Sequence, residues 1–340
     1  MTKARLALSR EQILAFRRRI GALDERLPRS SASLRTAAWA GLQDSMPRAA
    51  LLSLHARVED TGPDALDDPS LTQVWGPRFS LFVVAEQDAP IFTLGRYPSD
   101  ARGQRVADGA AALIRKAVGD GRIAYGHAGA ELGVPPNSLR YGTTTGMVRL
   151  RWEGARAPKI WVVPRPEMTA AEAQLELARR YLHVYGPTTP AAFSKWAGIG
   201  LADGPRAFDG LGSEILPVTT PVGDAWILAA DEPGFRATAG EPAAARLLPS
   251  GDSFWLYHGR DRELLVPDPK LRDELWTSRV WPGALLVGGE VAGTWRRANQ
   301  NLSVQACRRL TTRERTAVEA EATSLPLPGL PGPIRVTWES

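Results

Sequence analysis

Residues 39–57 read Trp39-Ala-Gly-Leu-Gln-Asp-Ser-Met-Pro-Arg-Ala-Ala-Leu-Leu-Ser-Leu-His-Ala-Arg57. Gln43, Asp44 and Ser45 stand at a break between two helical patterns, where Pro47 suits the first turn of the second helix. A polar cluster at a helix junction is either a cap or a site. Upstream, Ser33 starts a helical pattern through Leu42. Still earlier, Ser9-x-x-Gln12 is a capping box followed by Ile13, Leu14, Phe16, Ile20 and Leu23 at helical spacing. Downstream, Ala50, Leu51, Leu54 and Val58 form an apolar stripe. The period then changes over Thr72–Val84, where Val74, Phe79, Leu81 and Val83 flank the turn-like Gly76-Pro77. Three helices followed by a hairpin is the order of a winged helix-turn-helix.

The order recurs. Val106–Val118 is predicted as a helix, and Ala128-x-x-x-Leu132-Gly-Val134 leads to Asn137-Ser-Leu-Arg140. The spacing suits a helix-turn-helix, with Gly133 at the turn and a capped second helix able to enter a groove. A hairpin is predicted from Met147–Trp152 and Lys159–Val163 around Gly154, with Arg149 and Arg151 on one strand face. A third copy starts at the capping box Thr169-Ala-Ala-Glu172, whose helix stops at Gly186-Pro187. Thr189-Pro190 opens the next helix, Pro205–Leu211 is a short third, and Glu214–Thr219 pairs with Ala225–Ala229.

From about Leu247 the pattern is one of short strands: Phe254–Tyr257, Leu264–Val266, Gly283–Val287, Glu290–Trp295, Leu302–Ala306 and Ile334–Trp338. Gly288-Gly289 suits a two-residue turn, and one helix spans Thr312–Thr323. The expected fold is therefore α+β, with three tandem winged helix-turn-helix units and a C-terminal β-rich domain. The expected boundaries are 1–100, 101–167, 168–244 and 245–340.

Composition sets the class. A chain of 340 residues, 44% hydrophobic and 23% charged, has ample material for several cores and does not resemble a disordered chain. Lys plus Arg exceed Asp plus Glu by 42 to 37, a net +5 that suits a polyanionic partner. The single cysteine, Cys307, excludes an internal disulfide framework and a thiolate-rich zinc site, and the four histidines match no zinc spacing. No signal-like N-terminus and no membrane-length apolar run occur, so the expectation is a cytoplasmic monomer without a membrane partner or cofactor. There is no glycine-rich phosphate loop and no nucleophile elbow.

Arg140, Arg149, Arg151, Arg156, Lys159 and Arg165 cluster around the second hairpin. Arg296, Arg297, Arg308, Arg309, Arg313 and Arg315 cluster near the end. Such runs are either solvated faces or phosphate contacts, and their place on wings and strand ends suits the second. Arg296-Arg297 after Trp295, at a hairpin end, would suit a minor groove. His55 lies in the helix after Pro47, and His258 stands in Trp255-Leu-Tyr-His-Gly-Arg-Asp-Arg262, as a loop histidine or a site residue.

Several ordered motifs carry a family likeness across nearly the whole chain. These are the Gln43 stretch, Leu182-His-Val-Tyr-Gly-Pro-Thr-Thr-Pro190, Trp196-Ala-Gly-Ile199, Leu248-Pro-Ser-Gly-Asp252, Leu265-Val-Pro-Asp-Pro269 after Asp261-Arg262, and Gly288-Gly-Glu-Val-Ala-Gly-Thr-Trp-Arg-Arg297. With them the sequence resembles the AlkZ/YcaQ-like winged-helix DNA-binding superfamily. The resemblance implies a C-shaped basic channel for double-stranded DNA. It also implies a metal-independent glycosylase that excises N-alkylated or bulky-adduct purines in base excision repair, crosslink unhooking or genotoxin resistance. The candidate DNA contacts are then Arg48, His55, Arg78, Arg140, Arg149, Arg151, Arg262, Trp295, Arg296 and Arg297.

The family motif is Gln-x-Gln or Gln-x-Asp, so Gln43 matches the first position and Ser45 the third, with Asp44 at an intervening position that is apolar in the family. Excision of a cationic purine requires a water held near C1′ and electrostatic support for an oxocarbenium-like transition state. Ser45 orients a water but holds no charge. Three arrangements are open: Asp44 faces the channel as the carboxylate beside Gln43; catalysis is lost and a DNA binder remains; or Asp44 caps the following helix. The candidate catalytic residues are Gln43, Asp44 and Ser45.

Overall fold

The computed structural model describes residues 5–46, 48–152, 156–327, 329–330 and 332–339. Pro47, expected to open the third helix, and Gly154, expected at the second hairpin's turn, lie outside them. The chain begins with β1 (Leu6–Ala7) and α1 (Arg10–Ile20), whose Ser9/Gln12 capping box forms as expected. The first helix does not belong with the helices that follow it. Its Ile13 and Phe16 pack on Val218, Ile227 and Phe235, β1 pairs in parallel with the strand Ile215–Thr220, and Arg17 donates to the Tyr185 and Gly186 carbonyls at 2.8 and 3.0 Å. Sequence neighbours suggested otherwise because an amphipathic stripe says only that a face is buried, not against what.

Next come α2 (Ser31–Ala37), β2 (Leu42–Gln43), α3 (Ala49–His55), a 3-10 turn at Pro63–Asp67, β3 (Leu71–Trp75), β4 (Leu81–Ala85) and α4 (Ala89–Thr93). α2 is capped by Ser30 rather than started by Ser33, and it ends before Leu42, which joins a strand. The expected hairpin across Gly76-Pro77 is present as β3 and β4. Then follow α5 (Ala101–Val118), β5 (Ile123–Ala124), α6 (Tyr125–Leu132), α7 (Pro136–Leu139), β6 (Val148–Arg151) and β7 (Lys159–Val162). Gly133 stands at the turn as expected, in the left-handed conformation at φ +65. α7 is shorter than expected and has no side-chain cap; it continues as a 3-10 turn over Arg140–Thr145.

The next segment holds α8 (Ala170–Tyr185), α9 (Pro190–Ala197), α10 (Asp203–Leu211), β8 (Ile215–Thr220), β9 (Gly223–Leu228) and α11 (Glu232–Arg236). The Thr169/Glu172 capping box and the Thr189 cap form as expected. Among the described residues one succession occurs three times: a helix, a short extended segment, two helical segments and a hairpin. In each, the short segment pairs antiparallel with the hairpin's second strand, as β2 with β4, β5 with β7, and Thr188 with Trp226 of β9. The first two copies share one sheet of order β2-β4-β3-β6-β7-β5, while β1-β8-β9 is separate.

The C-terminal sheet runs β10-β11-β12-β13-β14, formed by β10 (Ala245–Leu248), β11 (Gly283–Val287), β12 (Glu290–Ala298), β13 (Asn301–Ala306) and β14 (Arg335–Glu339). Gly288 and Gly289, at φ +60 and +81, make the tight turn between β11 and β12. Between β10 and β11 lie α12 (Asp261–Leu265) and α13 (Pro269–Leu275), and α14 (Thr312–Thr323) contributes Val318 and Ala322 to the sheet's core. Two expected strands are corrected here: Leu264–Val266 overlaps α12, and Phe254–Tyr257 is irregular. Phe254, Trp255, Leu256 and Tyr257 are all buried in the central core with Tyr181, Tyr185 and Trp196 of α8 and α9. A run buried on every side imitates a strand in sequence.

Candidate active site

Gln43 lies on β2 with Phe82 of β4 as its register partner, so the motif opens on a strand rather than at a helix end. Its side-chain oxygen accepts a 2.9 Å hydrogen bond from Arg78. Its amide rests on Gly251, whose φ is +76 and where a Cβ would come within 3.1 Å of Gln43 Nε2. A glycine is needed there on both counts. Arg78 in turn donates to the Trp196 carbonyl at 2.6 Å, and Arg96, fully buried beside it, donates to the Ala197 and Trp75 carbonyls and stacks 4.4 Å from the Phe79 ring centre.

The Gly251 loop is anchored by a buried ion pair. Asp252 accepts from both terminal nitrogens of Arg57 at 2.7 Å, from the Ser53 hydroxyl at 2.6 Å and from the Phe254 amide at 2.9 Å. The two side chains are 0% and 2% exposed, so the pairing is fully desolvated and both carboxylate oxygens are satisfied. α3, which carries Ser53 and ends two residues before Arg57, is thereby locked to the loop that supports Gln43.

Asp44 and Ser45 point opposite ways. Asp44 is 4% exposed; its carboxylate accepts the Ala50 amide at 3.0 Å and the Gln73 side-chain amide at 3.4 Å. Of the three arrangements left open by the sequence, this is the cap: Arg48 occupies the N-cap position at φ +68 without a side-chain cap bond, and Asp44 serves the first turn of α3 instead. Burial pushes the Asp44 carboxyl up to about 6, against the opposing pull of the Ala50 bond and the Arg48 and Arg151 charges. Ser45 is exposed and lines a cleft with Arg78.

The candidate contacts divide. Arg48, Arg296 and Arg297 are exposed. Among the described residues, Arg296 donates its one hydrogen bond to the Val280 carbonyl and Arg297 to that of Asn299. Arg140 is half-buried, donating to the Tyr125 hydroxyl at 3.1 Å. Arg262 donates to the Tyr257 carbonyl and lies 4.9 Å from the Trp276 ring centre. Arg151 is held by the Leu66 carbonyl and Asp67.

Three candidates are buried. Arg149 is buried against the Gly146 carbonyl, with Glu86 3.8 Å away. Trp295 is in the C-terminal core with its indole donating to the Leu248 carbonyl at 2.9 Å. His55 is 7% exposed against Ser324 and Arg26, and burial lowers it to about 4. Arg149 and Trp295 are drawn inward because their carbonyl partners lie on the core side of their strands. His258 is lowered to about 4, by burial first and then by the charges of Arg78, Arg262 and Lys195.

Sequence reasoning missed Arg57, Arg96 and the roles of Gly251 and Asp252. Leu248-Pro-Ser-Gly-Asp252 was visible as a motif, but nothing in local spacing joins it to Arg57, 195 residues earlier. Among the described residues no group of three or more His, Cys, Asp or Glu side chains is placed to hold a metal, and no helix is long and apolar enough to cross a membrane.

The model of the family described as "DNA glycosylase AlkZ-like" matches residues 36–326. A curated relative from Streptomyces sahachiroi, an interstrand DNA cross-link repair glycosylase, is 27% identical over 146 residues, 42% of this chain. The match spans 38% of that relative's length. The solved structure of the Streptomyces sahachiroi DNA glycosylase AlkZ superposes with a TM-score of 0.78 at 18% identity, covering 98% of this chain and 100% of that one. At that identity the likeness is one of fold.

Proposed function

From this chain's membership of the AlkZ-like DNA glycosylase family, we propose that it is a monofunctional DNA glycosylase that excises N-alkylated or bulky-adduct purines from double-stranded DNA. In this reading the three repeated units are tandem winged helices, bounded near residues 100, 167 and 244, and they form with the C-terminal sheet a C-shaped channel. The protein acts as a cytoplasmic monomer without a metal. The observation that carries the reading is the fixed orientation of Gln43, held by Arg78 on one side and Gly251 on the other, beside the exposed Ser45.

The chemistry suits such a site. An N-alkylated purine is cationic, so when the bond from C1′ to nitrogen breaks, the base leaves with the electron pair and becomes neutral. Water adds its oxygen to C1′ and releases its proton to solvent, leaving an abasic sugar. The protein has to place that water and stabilise the positive sugar. The Gln43 oxygen, already bound by Arg78, retains a lone pair for the water, and the Ser45 hydroxyl supplies a second bond. Asp44 stays out of the reaction and holds the turn that presents both.

A second reading, a winged-helix DNA binder without catalysis, draws on the same observation: the one carboxylate of the motif is used as a cap. Incubation with duplex DNA containing 7-methylguanine, with released base measured by mass spectrometry, separates the two. The expected outcome is release by wild type, a loss of roughly 100-fold in Gln43→Ala, the scale of removing one preorganised polar contact, and retention in Asp44→Asn. Salt-sensitive DNA binding with no release by wild type identifies the binder.

A further inference from the structure

A cavity of about 590 Å³ lies where the three repeated units meet. The first unit supplies Phe79, the second Val106 and Tyr141, and the third Gly198 and Ile199. Junctions between packed units, at this volume, are where small molecules bind. Among the described residues the cavity shares only Phe79 with the cleft beside Ser45, so the two are separate sites.

Its apolar side chains are left in solvent. Phe79 and Tyr141 pack edge to face with ring centres 5.1 Å apart, Val106 and Tyr141 are exposed, and Leu201, next to the lining Gly200, is 71% exposed. Exposed apolar side chains gathered in one place mark a binding surface, whereas scattered ones do not. The Trp196-Ala-Gly-Ile199 motif builds one wall. Gly198, at φ +70, brings the end of α9 so close to Arg78 that a Cβ would lie 2.9 Å from its backbone.

The polar groups set the sign of the ligand. Arg96 is buried on the lining: Nε donates to the Ala197 carbonyl at 2.7 Å, Nη1 to the carbonyls of Trp75 and Gly76, and Nη2 has no hydrogen-bond partner among the described residues. Its acceptors are all carbonyls, and burial, then the Arg78 charge, pushes Arg96 down to about 9. Arg102, exposed on the same lining, makes no hydrogen bond or ion pair among the described residues. The two carboxylates there are already used: Asp100 accepts the Gly103 amide at 2.9 Å, and Asp203 accepts the Gly200 amide at 3.0 Å and pairs with Arg206. A buried donor without an acceptor is costly, and a carboxylate oxygen supplies the acceptor and the opposite charge together.

We propose that this cavity is a second binding site, for a free small molecule with a flat apolar body and one carboxylate, whose oxygen accepts from Arg96 Nη2 while its body lies against Phe79 and Tyr141. The site stands apart from the glycosylase reading, since its ligand is no part of the DNA. Phe79 follows Arg78 in a turn where both residues have φ +55, so the wall that the ligand touches is continuous with the residue that clamps Gln43.

Titration calorimetry of the full chain with 2-naphthoate, in a phosphate-free buffer, tests this. Saturation at one molecule per chain is expected, about tenfold tighter than for naphthalene-2-carboxamide, which keeps the shape and lacks the charge; tenfold is the scale of one hydrogen bond to a charged group. Inorganic phosphate, which has the charge and no apolar body, is expected to bind more weakly than naphthoate. Val106→Trp places an indole in the cavity from an exposed helix position and should abolish naphthoate binding. Tyr141→Ala should weaken it, with a melting curve matching wild type.

The absence of saturable naphthoate binding overturns the proposal. So does binding that Val106→Trp and Tyr141→Ala both leave unchanged, because the ligand then sits elsewhere. Equal affinity for the carboxamide removes Arg96 from recognition, and equal affinity for phosphate removes the apolar walls; either result refutes this class of ligand. If Val106→Trp does not fold, Tyr141→Ala decides the location alone.

Discussion

The Gln43 junction and the β12–β13 hairpin are both rich in arginine, and they use it in opposite ways. At the junction, Arg57, Arg78 and Arg96 donate to carbonyls and to one carboxylate, and little of their charge faces solvent. At the hairpin, Arg296 and Arg297 extend from the sheet with a single carbonyl contact each. A buried guanidinium is costly unless each donor is directed, so it fixes geometry; an exposed one keeps its hydration and remains available to a phosphate. Counting basic residues gives the net charge but not which of these two jobs each performs.

The contrast breaks first at Asp252. Asp252→Ala strands the Arg57 charge in the core and is expected to cost about 3–5 kcal/mol, the range for breaking a buried pair from one side, read as a fall in the urea midpoint. Gln43-dependent release should fall with it even where the variant remains folded, because Gly251 loses its anchor. A midpoint within about 0.5 kcal/mol of wild type, the ordinary scatter for surface changes, would show that the pair does not hold the loop.

A smaller effect separates Asp44 from a catalytic carboxylate. Its folded value, about 6, lies above the ordinary aspartate value of 3.8, so its contribution to stability is complete below the lower value and is lost as pH rises through the higher. That loss is on the order of 2–3 kcal/mol at 1.36 per unit. His55 has the opposite sign: lowered to about 4, it contributes above 6.5 and loses that contribution as pH falls through 4. The two slopes oppose each other between these limits. Asp44→Asn removes one of them, so its stability should rise more steeply with pH from 4 to 6.5 than that of wild type, as thermal melts at matched pH would show. Parallel curves would contradict the burial of that carboxyl.

The smallest change is expected at the hairpin. Arg296→Ala with Arg297→Ala should leave the melting curve in place, weaken duplex binding by about tenfold at low salt, and reduce the slope of log affinity against log salt by up to about two, one phosphate contact each. Unchanged affinity across unrelated sequences would remove that face from the DNA path and leave the comparison one of stability alone.

Much of this was legible in residue order. The capping boxes at Ser9 and Thr169 mark helix starts without reference to anything distant, because the cap is a contact three residues long. Gly133 and Gly288-Gly289 mark turns for the same local reason. Trp295 and Arg149 were misplaced because the side of a strand that faces the core depends on what covers it. The run Phe254–Tyr257 was misread because burial on all sides has no period.

The Gln43-Asp44-Ser45 stretch shows the division most clearly. The sequence by itself determined most helices and hairpins of the three repeated units, the family, and the identity of the polar residues at one break in the pattern, since propensity, capping and turn chemistry act over a few residues. Only the tertiary structure decided that Gln43 is clamped between Arg78 and Gly251, that Asp44 turns inward to Ala50 and Gln73, and that Ser45 is left outside. Asp44 finds its partners 6 and 29 positions away and Gln43 its own 35 and 208 positions away, and only the packed fold brings the more distant of these groups together and desolvates them.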